Sequence, residues 1–379
     1  MNEYSVVHYC CTVHSWFGRQ HFYQGLAKVW SRTRPHLLVS SPIRWPGGHP
    51  GYDGGRWIGG GYLHQPLPGL WLLQPLITRG ARFRSIRRLH DVLIARATIQ
   101  AIHAIGFDMD RLLVWAYESD ALPLLDRLPR ACSVYWTGDE EIDPGEPELL
   151  RRVDHVFAIS PDAMAQKQPV VGAKLTSMPM AINPEPFIAA QLAANPPNDL
   201  RDLRRPLIGY GGAFSMRIDW EILREVAART KGTLVLVGPA EDQEGVRQLE
   251  QLARLPSVAW LGHRGLDEAP AYLAAFDAAL IPYKRNRFNN GSNPLKFYEY
   301  LAAGVPVISV ALPALLAFGN LATFTDDPAS FAEAANRAAA TPLDVADVRR
   351  QQDVARGHSY EMLISRIEER VADSKCISS

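Results

Sequence analysis

The sequence predicts an α/β protein with two Rossmann-like domains. Its 379 residues exceed what one hydrophobic core usually holds, so two domains are expected. Short apolar runs of strand length alternate with helical segments, which is typical of parallel sheets covered by helices. This alternation stops at the polar, proline-bearing stretch 193–206 and then begins again. We therefore expect an N-terminal domain over residues 1–195 and a C-terminal domain over residues 203–355.

The N-terminal domain is predicted to start with a buried strand in "YSVVHYCCTV", then a loop and a helix near residues 20–31. Residues 42–70 are rich in glycine and proline and fit no regular period, so they are expected to form a long loop with a function such as substrate binding. Further strands are predicted in "HLLVSSP", "RLLVWAY", "ACSVYW" and "HVFAIS".

The C-terminal domain is predicted to repeat the strand and helix pattern. Helices are expected at 219–230, 243–254 and 267–276, and a final helix in "YEMLISRIEERV". The strands that separate them are predicted in "LIGYGGAF", "TLVLVGP", "SVAWLG", "AALIPY" and "VPVISV".

The formal net charge of zero hides an uneven distribution. Residues 1–110 contain 12 lysines and arginines against 5 aspartates and glutamates. A basic cluster can attract phosphates or an anionic membrane surface, although a solvated helix face is an equally good explanation. The cluster consists of Arg79, Arg82, Arg84, Arg87 and Arg88.

Cysteine usage and hydropathy indicate a cytoplasmic protein. The four cysteines lack zinc spacing, and two are adjacent in an apolar run, so buried thiols in a reducing compartment are expected. We identify no signal peptide and no run of about 18 apolar residues that could span a bilayer. The basic cluster still allows peripheral contact with the inner face of a membrane. We expect no nucleic acid partner.

The segment "GSNPLKFYEYLAAGVPVIS" (291–309) predicts a short helix followed by a strand. Ser292 or Asn293 is expected to cap the helix, with Pro294 at its first position, where the missing amide costs nothing. Gly304 is expected to end the helix, and Pro306 prevents its continuation.

Lys296 is expected in the first turn of this helix, where the positive end of the helix dipole disfavours a cation. An arriving anion such as a diphosphate would resolve the conflict, because it would meet backbone amides, the dipole and the ammonium group together. Glu299 shares the face of Lys296 and could accept hydrogen bonds from ribose hydroxyls. The alternative is an ordinary Lys296–Glu299 pair on the surface.

This segment resembles the donor-site helix of GT-B-fold glycosyltransferases, which typically reads "E…E-A-(M/L)-A-x-G-x-P-V-I". Other pieces resemble the family in the same order, strongly over 203–309 and weakly before residue 110. They are "RRVDHVFAISPDAM", "MPMAINPEPF", "LIGYGGAFSMRIDWEIL", "LVLVGP" and "VAWLGHRGLDEAPAYLAAFDAALIPY".

The resemblance implies a GT-B fold, in which two Rossmann-like domains face an interdomain cleft and a C-terminal helix, here 357–379, joins the first domain. It implies a nucleoside diphosphate sugar as co-substrate and no further cofactor. By the resemblance, Glu299 holds the ribose, Lys296 holds the diphosphate, and the turn at Gly211 and Gly212 approaches the phosphates, because glycine lets the backbone come close. The remaining implied donor-site residues are Arg217 as a second cation, Ser292 and Asn293 in the loop, and Tyr283 and His263 beside the base.

One departure from the family pattern bears on the mechanism. Retaining members commonly carry Glu-x7-Glu, and the first of these positions is Gly291 here. An inverting mechanism is therefore favoured, which requires a carboxylate to deprotonate the acceptor hydroxyl. We predict Asp139 as this base, because it follows the strand "ACSVYW" and resembles the proposed base of xanthan-type glucuronosyltransferases. Glu140, Glu118 or a plain acidic loop are the alternatives.

Two further motifs lie in the first domain. "HSWFGRQ" follows the first strand, so His14, Trp16, Arg19 and Gln20 are expected either on the acceptor side of the cleft or in a capping turn. Asp108-x-Asp110 precedes its strand and is predicted to be a turn. No metal ion is expected, because the helix dipole and cations can neutralise a diphosphate.

The sequence thus predicts a metal-independent hexosyltransferase that acts on a glycan or lipid-linked acceptor in polysaccharide biosynthesis. A retaining transferase of the same fold, a sugar-nucleotide epimerase and a binding protein without catalysis are the alternatives.

Overall fold

A computed structural model of the chain describes residues 4–9, 22–46, 48, 53–78, 84–128, 131–138 and 143–372. These residues form two compact units. The first includes residues up to 159, residues 163–178 and the helix that begins at Tyr360, and the second includes residues 160–162 and 179–359. The stretch 193–206 lies inside the second unit.

The first unit is built on a sheet that is parallel from β10 through β9, β8, β7, β1 and β2 to β6, and antiparallel from β6 through β5 to β4. β3 also pairs with β6. The described strands of this unit are β1 Ser5–Tyr9, β2 His36–Val39, β3 Ile43–Trp45, β4 Arg56–Ile58, β5 Gly61–Leu67, β6 Leu70–Thr78, β7 Leu112–Ala116, β8 Cys132–Trp136, β9 His155–Ala158 and β10 Leu175–Ser177.

Helices cover this sheet, and the C-terminal helix belongs to this unit. The carboxylate of Glu368 on that helix accepts hydrogen bonds from the Tyr4 hydroxyl (3.2 Å), Trp30 Nε1 (3.2 Å) and Arg34 Nε (3.1 Å). The described helices of this unit are α1 Phe22–Trp30, α2 Arg84–Ile105, α3 Leu122–Leu125, α4 Glu146–Arg152, α5 Pro161–Val171 and α15 Tyr360–Ala372, with short 3-10 helices at Ser119–Ala121 and Gly172–Lys174.

The long loop expected at residues 42–70 is wrong, because β3, β4, β5 and the start of β6 lie there. Two tight turns account for part of the composition: Ile58 pairs with Gly61, and Leu67 pairs with Leu70. The glycines between them, Gly60 (φ 144°) and Gly69 (φ 77°), adopt backbone conformations that favour glycine. Glycines at these two positions therefore mark hairpins rather than a loop.

The second unit contains a fully parallel sheet in the order β13-β12-β11-β14-β15-β16. β11 and β12 are buried on both faces, as expected for a parallel sheet between helical layers. The described strands are β11 Leu207–Gly211, β12 Thr233–Val237, β13 Val258–Gly262, β14 Ala278–Ile281, β15 Val307–Ser309 and β16 Ala322–Phe324.

Several helices of the second unit begin at an aspartate whose carboxylate accepts hydrogen bonds from the first-turn amides: Asp219, Asp242, Asp327 and Asp344 cap in this way. The described helices are α6 Glu185–Ala193, α7 Asn198–Arg201, α8 Trp220–Arg229, α9 Gln243–Leu252, α10 Ala269–Ala274, α11 Arg287–Asn290, α12 Leu295–Ala302, α13 Pro328–Ala340 and α14 Val345–Gly357, with a 3-10 helix at Leu316–Phe318.

The predicted α/β class with parallel sheets is confirmed in both units. Each unit encloses its own hydrophobic core, around β7 and α2 in the first and around β11, β14 and α12 in the second. Within the described ranges, no helix combines the length and apolarity needed to cross a membrane. Cys132 is buried, and the other three cysteines lie outside the described residues.

Candidate functional site

The glycine turn at the carboxyl end of β11 is held in place by its own amides. The Gly211 amide donates to the Tyr300 hydroxyl (2.9 Å), and the Gly212 amide donates to the Val237 carbonyl oxygen on β12 (2.8 Å). Both amides are therefore engaged within the protein. In an open parallel sheet, ligands bind at this edge of the strands.

Gly212 brings the turn next to Lys296. Its φ of 146° favours glycine, and a Cβ at this position would lie 3.0 Å from both Cε and Nζ of Lys296. A larger residue would therefore crowd the ammonium group and displace it by a few tenths of an ångström. The structure therefore places the predicted glycine turn and the predicted cation side by side.

The N-terminus of α12 corrects the predicted capping. Pro294 occupies the N-cap position, one residue earlier than expected, and no side chain caps the helix. The Ser292 hydroxyl instead donates to the Asn289 carbonyl oxygen (2.7 Å), and both Ser292 and Asn293 are buried. The first-turn amides of a helix lack partners within the helix, so this end can receive an anion. The predicted helix end at Gly304 is confirmed: its φ is 65°, just after the helix.

Lys296 is half-buried, and its ammonium group lies against two tyrosine side chains. Its Nζ donates to the Tyr283 hydroxyl (2.8 Å) and lies 5.2 Å from the ring centres of both Tyr210 and Tyr283. Among the described residues, no carboxylate forms an ion pair with Lys296, and this includes Glu299. The alternative of a Lys296–Glu299 surface pair therefore has no ion pair to support it.

Glu299 is half-buried one turn further along α12. Burial raises the pKa of the Glu299 carboxyl, and the nearby charge of Lys296 opposes that rise. A carboxylate in this environment gains from hydrogen bonds that ligand hydroxyls would donate.

Arg217 lies in the loop between β11 and α8, and its guanidinium stacks over the ring of Phe288 at 4.3 Å. Its positive charge reaches Tyr210, where it opposes the rise in the pKa of that phenol. Arg217 therefore belongs to the same cluster as Lys296. Asn289 holds the two bordering loops together: its Nδ2 donates to the carbonyl oxygens of Arg217 (3.1 Å) and Lys284 (2.8 Å).

Tyr283 and His263 differ in their surroundings. Tyr283 is buried beside Lys296, whereas His263 is exposed directly after β13. The loop at His263 is braced by Arg264, whose guanidinium donates to Asp199 (2.8 Å) and to the Tyr272 hydroxyl (2.7 Å). His263 thus lies at the same sheet edge but is not shown in contact with Lys296.

Sequence reasoning missed Tyr210, Tyr300 and Asn289. Tyr210 stands within the segment "GYGG" and Tyr300 within the predicted helix, so each lies beside predicted site residues, but neither was given a role. No sequence pattern indicates the role of Asn289, because the two carbonyl oxygens that accept its hydrogen bonds belong to separate loops.

Most predicted site residues of the first unit lie outside the described residues. These are the predicted base Asp139, its alternative Glu140, the acceptor-side residues His14, Trp16, Arg19 and Gln20, and the basic residues Arg79 and Arg82.

The remaining first-unit residues are described. Glu118 is half-buried after β7 and contributes to a raised pKa of Asp120, which is due mainly to burial. Arg87 and Arg88 are exposed on α2. The Asp110 amide donates to Asp108 Oδ1 (3.0 Å) just before β7, which confirms the predicted turn.

Part of the second unit is similar to a known family. Residues 205–341 match the family model of Glycosyl transferases group 1. TuaH of Bacillus subtilis (strain 168), a candidate teichuronic acid biosynthesis glycosyltransferase, is 34% identical over 108 residues. That match covers 28% of this chain and only 27% of the length of TuaH.

Solved structures are similar to nearly the whole chain. They include Anabaena HepE in complex with UDP and glucose (15% identity, TM-score 0.66, 98% of this chain and 100% of that chain). Sucrose-phosphate synthase of Thermosynechococcus elongatus has 16% identity and a TM-score of 0.69 over 97% and 98% of the two chains. A UDP-forming α,α-trehalose-phosphate synthase of Burkholderia xenovorans has 12% identity and a TM-score of 0.71 over 100% of both. At these identities the likeness concerns the fold. The chain therefore has the GT-B fold, and its residues 205–341 are similar to the Glycosyl transferases group 1 family.

Proposed function

We propose that this protein is a glycosyltransferase that moves a sugar from a nucleoside diphosphate sugar to an acceptor hydroxyl. One observation carries the proposal. Lys296 lies beside Gly212 at the N-terminus of α12 and has no carboxylate partner among the described residues. No side chain caps this end of the helix. A diphosphate would supply the missing negative charge and accept hydrogen bonds from this helix end.

The proposed donor is a UDP-sugar. Two of the similar structures support this choice: HepE is described in complex with UDP and glucose, and the Burkholderia enzyme is UDP-forming. In this chain we assign the diphosphate to Lys296 and Arg217, the ribose to Glu299, and the base to the edge bordered by His263. The family match over 205–341 supports a donor site in the second unit.

The proposed reaction is a single displacement that inverts the anomeric centre. The acceptor oxygen forms a bond to the anomeric carbon while the bond from that carbon to the diphosphate breaks, and UDP leaves with the electron pair. Lys296, Arg217 and the helix dipole stabilise the negative charge that develops on the diphosphate. We assign the acceptor proton to Asp139. Full activity in EDTA would support the metal-independent mechanism that we propose.

The alternatives differ in their products. A retaining transferase gives the opposite anomer, which NMR of the product distinguishes. A sugar-nucleotide epimerase converts the donor alone, without an acceptor. A binding protein without catalysis binds UDP-sugar and never releases UDP.

For the acceptor, we propose a lipid-linked or cell-surface glycan at the inner face of a membrane. Support comes from the basic excess in residues 1–110 and from TuaH, whose name assigns it to teichuronic acid biosynthesis. Arg87 and Arg88 are exposed on α2, and basic side chains at a surface attract anionic lipids.

Thermal shift with UDP tests the donor site. A ligand that binds only the folded state raises Tm by mass action. We expect UDP to raise Tm of the wild type and Lys296→Met to lose most of this shift, because hydrogen bonds to charged groups are worth about 1.5–3 kcal/mol. Lys231→Met is the matched control, since Lys231 is exposed just before β12, at the opposite edge of the sheet. Equal shifts in all three proteins would show that Lys296 is not in a donor site.

A further inference from the structure

Tyr283 sits where β14 gives way to the loop that leads to α12. It forms an isolated antiparallel bridge with Ile218, and only 4% of its surface is exposed. The loop end that carries Tyr283 is therefore fixed to the segment that follows Arg217. Its hydroxyl accepts the hydrogen bond from Lys296 Nζ at 2.8 Å.

Tyr210 completes the surroundings of the ammonium group. Its ring centre and that of Tyr283 each lie 5.2 Å from Lys296 Nζ, within the range of cation–π attraction. The Tyr210 hydroxyl donates to the Ala213 carbonyl oxygen (3.0 Å), which anchors it to the glycine turn. Burial, with the neighbouring Tyr283 phenol, raises the pKa of Tyr210, so the Tyr210 phenol is neutral at physiological pH.

An uncharged hydrogen-bond acceptor beside Lys296 has a different effect from a carboxylate. A carboxylate at this place would order the lysine but also cancel its charge and compete with an incoming diphosphate. Two phenols order the ammonium group through one hydrogen bond and two ring faces, and they leave its full charge and its other two donors to a ligand.

We propose that Tyr283 is a positioning residue that holds Lys296 in its binding geometry before the donor arrives. This inference rests on the proposed function of Lys296. A free lysine side chain loses rotamer entropy when it binds a phosphate. Tyr283 already restricts the Lys296 side chain in the folded protein, so less rotamer entropy is lost when the donor binds. The effect of Tyr283 is therefore on donor affinity rather than on the chemical step.

The test is a double-mutant cycle with UDP as the probe. Four proteins are compared: the wild type, Tyr283→Phe, Lys296→Met and the double variant. Calorimetry gives the dissociation constant of UDP, and release of UDP from the UDP-sugar gives kcat and the KM for that donor. Phenylalanine keeps the ring and removes only the hydroxyl. We expect Tyr283→Phe to weaken UDP binding and raise KM about two- to tenfold, with kcat changed less than twofold. In the Lys296→Met background the same change should have no further effect.

Tyr4→Phe is the matched control. It removes a buried phenol hydrogen bond, from Tyr4 to Glu368, in the first unit, and it should leave UDP binding unchanged. The melting temperature of each variant without ligand separates a folding defect from a loss of affinity.

Two results would overturn the inference: unchanged UDP affinity in Tyr283→Phe, or an equal loss with and without Lys296. If Lys296→Met itself binds UDP as tightly as the wild type, the proposed function fails instead. Weakened binding in Lys296→Met with normal binding in Tyr283→Phe removes only the role of Tyr283.

Discussion

Lys296 illustrates how individual residues compensate for one another in this protein. A cation in the first turn of a helix costs a few tenths of a kcal/mol against the helix dipole. The Tyr283 hydroxyl and two aromatic rings offset this cost without neutralising the charge. The lysine therefore remains available for an anion.

His8 and His36 form a buried pair in the first unit. His36 Nε2 lies 3.3 Å from His8 Nδ1, and both side chains are fully buried among Trp30 and Trp115. Burial lowers the pKa of His36 to about 3 and also lowers the pKa of His8. Neither imidazole is available for protonation in the folded state near neutral pH.

We predict that the first unit loses stability as the pH falls from about 6.5 to about 3. In this window the unfolded chain binds a proton at His36 and the folded chain does not, so unfolding takes up protons. The loss approaches about 1.4 kcal/mol per pH unit for each histidine. Urea unfolding followed by tryptophan fluorescence at pH 7 and pH 5 measures it.

His36→Gln should flatten that pH dependence, and His103→Gln, an exposed position on α2, should not. The same pH dependence in all three proteins would contradict the assignment to the buried pair.

At the scale of elements, α12 is distinguished by the glycine that ends it and by the absence of a side-chain cap at its N-terminus. Gly304 stops it with φ 65°. Its N-terminus has no side-chain cap, whereas α8, α9, α13 and α14 begin at capping aspartates. The Tyr300 hydroxyl, fully buried on α12, ties the helix to β11 through the Gly211 amide.

We predict that Gly304→Ala destabilises the second unit by about 1–2 kcal/mol, the cost of a left-handed conformation for a residue with a Cβ. The added Cβ would also lie 2.8 Å from Cγ1 of Val348 on α14. Gly357→Ala is the control: it ends α14, and no atom lies within 4 Å of its Cβ position. Urea unfolding of both variants measures the difference, and equal stability would contradict the role of Gly304.

At the scale of the whole molecule, the formal net charge is zero but the charge is unevenly distributed, with a basic excess in residues 1–110. On α2, Arg87 and Arg88 are exposed, and the neighbouring Leu89 is 53% exposed. Basic residues next to an apolar one are suited to the surface of an anionic bilayer.

We predict that the protein floats with vesicles that contain phosphatidylglycerol at low salt, and less so at high salt, because ions screen the attraction. The Arg87→Glu/Arg88→Glu double variant should float less. Arg96→Glu, exposed further along the same helix, should float like the wild type. Absence of flotation at low salt would contradict the membrane proposal.

The sequence alone determined the elements whose signal is local. Apolar runs of strand length identified β11, β12 and β14, and periodicity with Gly304 identified α12, because each pattern lies within one stretch of chain. Lys296 and the glycine turn were found in the same way, and the structure places them together.

Only the tertiary structure decided contacts between separate stretches. The strands in 42–70 were missed because turn glycines resemble loop glycines until the strands pair. The Ser292 hydroxyl donates to the Asn289 carbonyl oxygen rather than capping α12. His8 meets His36 because β1 pairs with β2, and Tyr283 meets Lys296 because the loop after β14 lies against the first turn of α12. No spacing along the chain records either contact.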